Sequence, residues 1–253
     1  MVQAAISKEA VASEQTNPIA LVTGAGRGIG RAVAVKLARE GFALCLVARS
    51  REELEETRRI TGLAPERSLI VLIDLAEDDA PHTLFDTTLE RFGRLDVLVN
   101  NAGWAPARTA LVKTSTSAQD RMLAVNLRAP IALTRLAAAH MAKAGAGAII
   151  NIASAAARKT PPGEAIYAAA KAGLVAFSHA AFAELRQSGV KLSLIVPGLV
   201  DTSLIPPNKH LDRTLMLSAE DVADAVISVV RAPAHVCPVE IVLEPQRDPE
   251  RPR

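Results

Sequence analysis

Tyr167 and Lys171 carry the strongest chemical signal in this sequence. They stand four residues apart in "YAAAKAGL", so on a helix they share one face. Tyr167 is the chain's only tyrosine, and Ser154 closes the apolar run "GAIINIAS" thirteen residues before it. A phenol titrates near pH ~10 in water. An ammonium held close favours the phenolate and lowers that value. The pair therefore predicts a general acid or base working near neutral pH. Ser154 would hydrogen-bond a substrate oxygen and keep it within reach. A lone Tyr-x-x-x-Lys reads as readily as a solvated lysine beside a core tyrosine, so a second, independent signal matters.

That signal is the stretch "LVTGAGRGIG", which follows an apolar run and opens a helix pattern. Its spacing, T-G-x-x-x-G-x-G with Gly24, Gly28 and Gly30, is not the usual dinucleotide fingerprint G-x-G-x-x-G, but its mechanics are the same. Gly24 permits a sharp turn, Gly28 lets backbone approach a pyrophosphate, and Gly30 lets helix and strand pack closely. The helix N-terminus, entered through Arg27, Gly28 and Ile29, then faces an anion. A plain glycine-rich turn is the alternative. With a nicotinamide held there, Ser154, Tyr167 and Lys171 would perform carbonyl–alcohol redox.

Residues so far apart need a fold that gathers them. Near-continuous apolar runs at 19–23, 43–48, 68–74, 95–100, 147–153, 191–197 and 239–243 read as strands buried on both faces. Helix patterns fill 30–40, 51–60, 77–92, 117–143, 164–187 and 218–231. Ser218 reads as the N-cap of the last. This alternation predicts an α/β fold: one doubly wound Rossmann domain, with a seven-stranded parallel sheet and helices on both faces. Its ligands would sit at the carboxyl ends of the strands. The domain would span 18–244, between a loose arm at 1–17 and a polar, poorly ordered tail at 245–253.

The 253 residues suffice for one such domain. A net charge of +2 argues against nucleic-acid binding through a basic field. Cys45 reads as a core residue, and two cysteines build no framework. No apolar stretch reads as a membrane span or leader, and the histidines show no metal spacing, so a cytoplasmic enzyme without a metal is the expectation.

Six motifs in this order resemble the short-chain dehydrogenase/reductase family over roughly 18–243, especially its NADP-preferring members with an Asn-Ser-Tyr-Lys set, such as 3-oxoacyl-[acyl-carrier-protein] reductases. The resemblance implies that Asn101, Ala102 and Gly103 of "NNAG" line the cofactor. Asp74 and Leu75 would flank the adenine. Asn126 of "AVNLRAP" would complete a tetrad with Ser154, Tyr167 and Lys171 and keep a water that relays protons to Lys171. Pro197, Gly198 and Val200 of "PGLVDT" would embrace the nicotinamide, and Thr202 would contact it. Family members pair the helices around 117–143 and 164–187 across a two-fold axis, which implies a homodimer or homotetramer. Substrates would be ketones or 3-oxoacyl thioesters.

Cofactor choice is read from the end of the second strand. Ala48 stands where NAD-preferring proteins carry an acid, and Arg49 follows it. Arg49 and Arg27 suit the 2′-phosphate of NADP. The chain departs from its family in a short segment, 203–217, containing Pro206 and Pro207, which would leave the site open. Trp104 reads equally as a cleft wall or as packing. Arg121, Arg128 and Arg135 form a stripe that could dock an acidic partner such as an acyl-carrier protein, or be a solvated or intersubunit face. A non-catalytic NADP-binding sensor or scaffold is the alternative function. It has no physical need for all of Asn126, Ser154, Tyr167 and Lys171.

Overall fold

A computed structural model describes residues 17–205 and 209–250. Nearly all of the expected arm, Pro206 and Pro207, and tail residues 251–253 lie outside the described residues. The chain alternates through β1 (Ile19–Thr23), α1 (Gly28–Arg39), β2 (Ala43–Ala48), α2 (Arg51–Thr61), β3 (Ser68–Leu72), α3 (Ala80–Phe92), β4 (Val97–Asn100), α4 (Thr116–Leu123), α5 (Ala129–Ala144), β5 (Gly147–Ile152), the short α6 (Ala156–Lys159), α7 (Ala165–Leu185), β6 (Val190–Pro197), α8 (Ala219–Arg231) and β7 (Glu240–Leu243). The strands form one parallel, seven-stranded sheet in the order β3-β2-β1-β4-β5-β6-β7. Strand order reverses between β1 and β4, which opens a crevice at their carboxyl ends.

Successive residues of each strand supply opposite faces. Ala20, Val22, Leu44, Leu46, Val99 and Ile150 pack with Val33 and Leu37 of α1 and Val226 of α8. Leu21, Cys45, Leu98 and Ile149 pack with Leu84 of α3 and with Leu133 and Met141 of α5. Cys45 is a core residue, and burial pushes its thiol up to about 12. Ser218 caps α8 in a reciprocal capping box with Asp221.

Several expected boundaries shift. β3 ends at Leu72, so Asp74 stands in the following turn, where its carboxylate accepts from the Ala76 N–H at 3.0 Å. The helix expected over 117–143 widens into a π-helical turn at Ala124–Arg128. Pro130, just inside α5, has no N–H for the carbonyl four residues back and would clash with it. The widened turn relieves both, and it contains Asn126.

Two further expectations are corrected. The segments Thr116–Ala144 and Ala165–Ser188 are long and apolar enough to cross a membrane by length and composition, because alanine adds hydropathy without bulk. Both are built against the sheet. Of the most apolar stretch of the first, 56% is buried, against 28% for the second, so α7 leaves apolar surface uncovered. The tail is ordered to residue 250. Pro249 is buried, its carbonyl accepts from the Asp212 N–H at 2.8 Å, and Leu211 and Glu250 form an antiparallel bridge. The prolines of this tail restrict its unfolded ensemble, which lowers the cost of holding it.

Candidate active site

The glycine loop bends where its sequence allows. Gly24 and Gly28 have φ of +66° and +52°, which disfavour any side chain. A Cβ on Gly30 would lie 2.1 Å from the Gly24 carbonyl oxygen, so that position lets α1 start tightly under the loop. Thr23 Oγ1 accepts from the N–H groups of Asn101 and Ala102, each at 3.0 Å, and Asn101 Nδ2 donates to the Thr23 carbonyl at 2.9 Å. The loops after β1 and β4 are thereby locked together across the crevice. No side chain caps α1 and its first turn holds no acid, whereas Ser50, Ser115 and Ser218 cap α2, α4 and α8. The free N–H groups of α1 suit an anion.

A cleft of about 950 Å³ runs over this junction. It is lined by Gly24, Arg27, Gly28, Ile29, Arg49, Asp74, Leu75, Asn101, Ala102, Gly103, Ser154, Tyr167, Lys171, Pro197, Gly198, Val200 and Thr202. Two expected site residues stand behind its wall. Gly30 lies under the loop, and Asn126 is fully buried. The Asn126 amide donates to the carbonyls of Trp104 (2.6 Å) and Met122 (2.9 Å), and its oxygen accepts from the Trp104 N–H (3.2 Å). It clamps the loop after β4 to the π-helical turn.

Ser154 leaves the end of β5, and its Oγ accepts from the Ala156 N–H at 3.1 Å. It also hydrogen-bonds Tyr167. One turn along α7, Lys171 is 3% exposed and donates to the Ile152 carbonyl at 2.9 Å. Its ammonium is 5.9 Å from the centre of the Tyr167 ring. The sequence predicts a phenol lowered by this lysine, and the structure corrects that. Burial pushes Tyr167 up to about 12, against the Ser154 hydrogen bond, and the nearby Glu164 charge pushes the same way as burial. Burial likewise pushes Lys171 down to about 8. In this site desolvation sets the direction for both groups.

The charged rim is internally paired. Arg121 meets Asp74 at 2.6 Å and lies 5.6 Å above the Trp104 ring, while Arg128 meets Asp78 at 2.6 Å and Arg135 meets His82 at 3.2 Å. The arginine stripe thus ties α4 and α5 to the β3–α3 region, with Arg128 and Arg135 still exposed. Burial would raise the Asp74 carboxyl. The Arg121 hydrogen bond, the Ala76 N–H and the charges of Arg121 and Arg49 together hold it below its ordinary value. Trp104 both lines the cleft and packs under Arg121. Beyond Thr202, His210, Leu211 and the tail's Glu250 add to the wall of the mouth.

Of the acidic residues that line the cleft, sequence reading missed three. Glu53 and Glu164 look like ordinary charges at helix starts, and Glu250 lies beyond the last strand. Glu164 pairs with Arg108 at 2.7 Å, tying the loop after β4 to the start of α7.

A family model described as short chain dehydrogenase matches residues 18–210. An uncharacterized oxidoreductase of Staphylococcus epidermidis is 31% identical over 228 residues, covering 90% of this chain and 96% of its own. One from Staphylococcus aureus is 31% identical over 230 residues, covering 91% and 98%. A crystal structure of a metagenomic short-chain oxidoreductase in complex with NADP is 35% identical, with a TM-score of 0.80 over 91% of this chain and 98% of that one. The chain belongs to the short-chain dehydrogenase family of oxidoreductases.

Proposed function

We propose that this chain is an NADP-dependent oxidoreductase that interconverts a carbonyl and a secondary alcohol on a small molecule. The observation that carries the reading is the convergence, in one cleft, of Ser154, Tyr167 and Lys171 with the uncapped N-terminus of α1. The α1 N–H groups would hold the diphosphate, and Pro197, Gly198, Val200 and Thr202 would border the nicotinamide. Thr202 reaches across the cleft, its methyl 3.2 Å from where a Cβ on Gly28 would stand. Held there, a nicotinamide cofactor would supply the hydride.

Ser154 would orient the substrate oxygen, and the Tyr167 hydroxyl would deliver a proton to it. A phenol raised to about 12 is fully protonated at neutral pH, which suits it as the acid of carbonyl reduction. Support for NADP is the solved relative in complex with NADP, the absence of a carboxylate at Ala48, and Arg27 and Arg49 on the cleft wall. The uncovered apolar face of α7 supports a homodimer or higher assembly.

A screen of NADPH oxidation against ketones and 3-oxoacyl thioesters tests the function. On a substrate so found, Tyr167→Phe should keep NADPH binding and lower kcat by about a hundredfold or more. Near wild-type turnover in that variant would remove Tyr167 from the reaction.

A further inference from the structure

Ala48, at the end of β2, offers no carboxylate to a ribose. The fold brings one in from α2. A Cβ built on Gly26 would lie 2.9 Å from Glu53 Cβ, 2.9 Å from Glu53 Oε2 and 3.5 Å from Ala48 Cβ. The Glu53 carboxylate and the Ala48 methyl therefore flank the same spot on the cleft wall, beside the glycine loop. Glu53 Oε1 is also 3.4 Å from Arg27 Nη1.

This placement is held by several bonds. The Glu53 N–H donates to Ser50 Oγ at 3.3 Å. Arg31 Nη2 donates to the Gly26 carbonyl and, at 3.5 Å, to the Glu53 carbonyl, stapling the first turn of α2 to the loop. The Glu53 backbone is thus fixed against the loop, and its carboxylate lies beside one of the two arginines assigned above to the 2′-phosphate.

We propose that Glu53 is the cofactor-discriminating carboxylate of this chain. It accepts a hydrogen bond from the 2′-hydroxyl of an NAD-type ribose. Against a 2′-phosphate it acts in the opposite sense, engaging Arg27 and adding a negative charge next to the incoming dianion. Glu53 therefore limits the preference for NADP that Arg27 and Arg49 create, and leaves NAD able to bind. The inference rests on the proposal that this cleft takes a nicotinamide dinucleotide. The Glu53 and Arg27 side chains are 36% and 62% exposed, so solvent screens the pair and the effect is moderate.

The test is calorimetric binding of NADP⁺, NAD⁺ and 2′-AMP to the wild type, E53Q, R27A and the double variant. 2′-AMP carries the discriminating phosphate and no nicotinamide, so its signal is independent of turnover. E53Q should tighten NADP⁺ and 2′-AMP by about three- to tenfold and weaken NAD⁺ by a few-fold. In the R27A background the gain for 2′-AMP should fall to about twofold or less, because part of it acts through Arg27. E53D keeps an acid in the first turn of α2 but withdraws it by one methylene. It should shift the same ratio by less, and it stands in if E53Q does not fold. An unchanged NADP⁺/NAD⁺ ratio in E53Q, or equal weakening of both cofactors, would overturn the inference. The cofactor reading fails separately, if the wild type binds NAD⁺ more tightly than NADP⁺ or binds neither.

Discussion

Lys171 shows how far this site departs from what stability alone would choose. The folded chain holds its amine at about 8, below the ordinary 10.5, because burial disfavours the ammonium. The sign follows directly. The unfolded chain binds this proton more tightly, so stability rises as pH climbs from about 8 to about 10.5 and is lowest below that window. At pH 7 the buried charge is a cost, on the order of 3 kcal/mol at most. Lys171→Met should therefore melt several degrees above the wild type at pH 7 and lose that advantage by about pH 10.5, while turnover is lost. Thermal melts at the two pH values check this. An equal difference at both would assign the gain to packing and not to charge. The serine, tyrosine and lysine were legible because their types and spacing state a chemistry. Their protonation balance was not, because it depends on how deeply β5 and α7 bury them.

Elements were legible wherever a periodic pattern ran unopposed. The strand runs and the Ser218 cap are of that kind. The misses differ in reach: one is a local effect inside a helix pattern, the others are contacts distant in sequence. Pro130 turns an unbroken apolar pattern into a π-helical turn, and the Asn126 amide is then consumed by Trp104, 22 residues away in sequence. The tail reads as polar and loose, yet Pro249 is buried against the segment after Thr202. That packing yields an element-scale prediction. Removing residues 246–253 deletes the bridge between Glu250 and Leu211 and one wall of the cleft mouth. KM for the carbonyl substrate should rise about fivefold or more, whereas NADPH affinity, set at the other end of the cleft, should change less than twofold. Steady-state kinetics with a fluorescence titration of NADPH separates the two. Equal loss of both would show that the tail supports the whole domain and not the mouth.

At the scale of the whole molecule, the open question is what meets the outer side of α7. Ala168, Ala170, Lys171, Leu174 and Ser178 face the interior. On the opposite side Ala165, Ala169, Ala176, Ala180 and Ala183 are exposed, spaced so that they form a continuous stripe of small side chains. Such a stripe lets a second helix approach closely, and a two-fold axis would set one α7 against another. The same helix carries Tyr167 and Lys171, so assembly would also stiffen the catalytic face. The expected outcome is a particle of at least twice the 26.7 kDa chain mass at micromolar concentration. Ala176→Arg places a long charged side chain in the stripe, about a turn and a half from Lys171, and should yield the 26.7 kDa monomer with a lower melting temperature. Light scattering on both proteins decides it. A wild type already monomeric at that concentration would sink the assembly reading, and an Ala176→Arg protein of unchanged mass would move the interface elsewhere on the molecule.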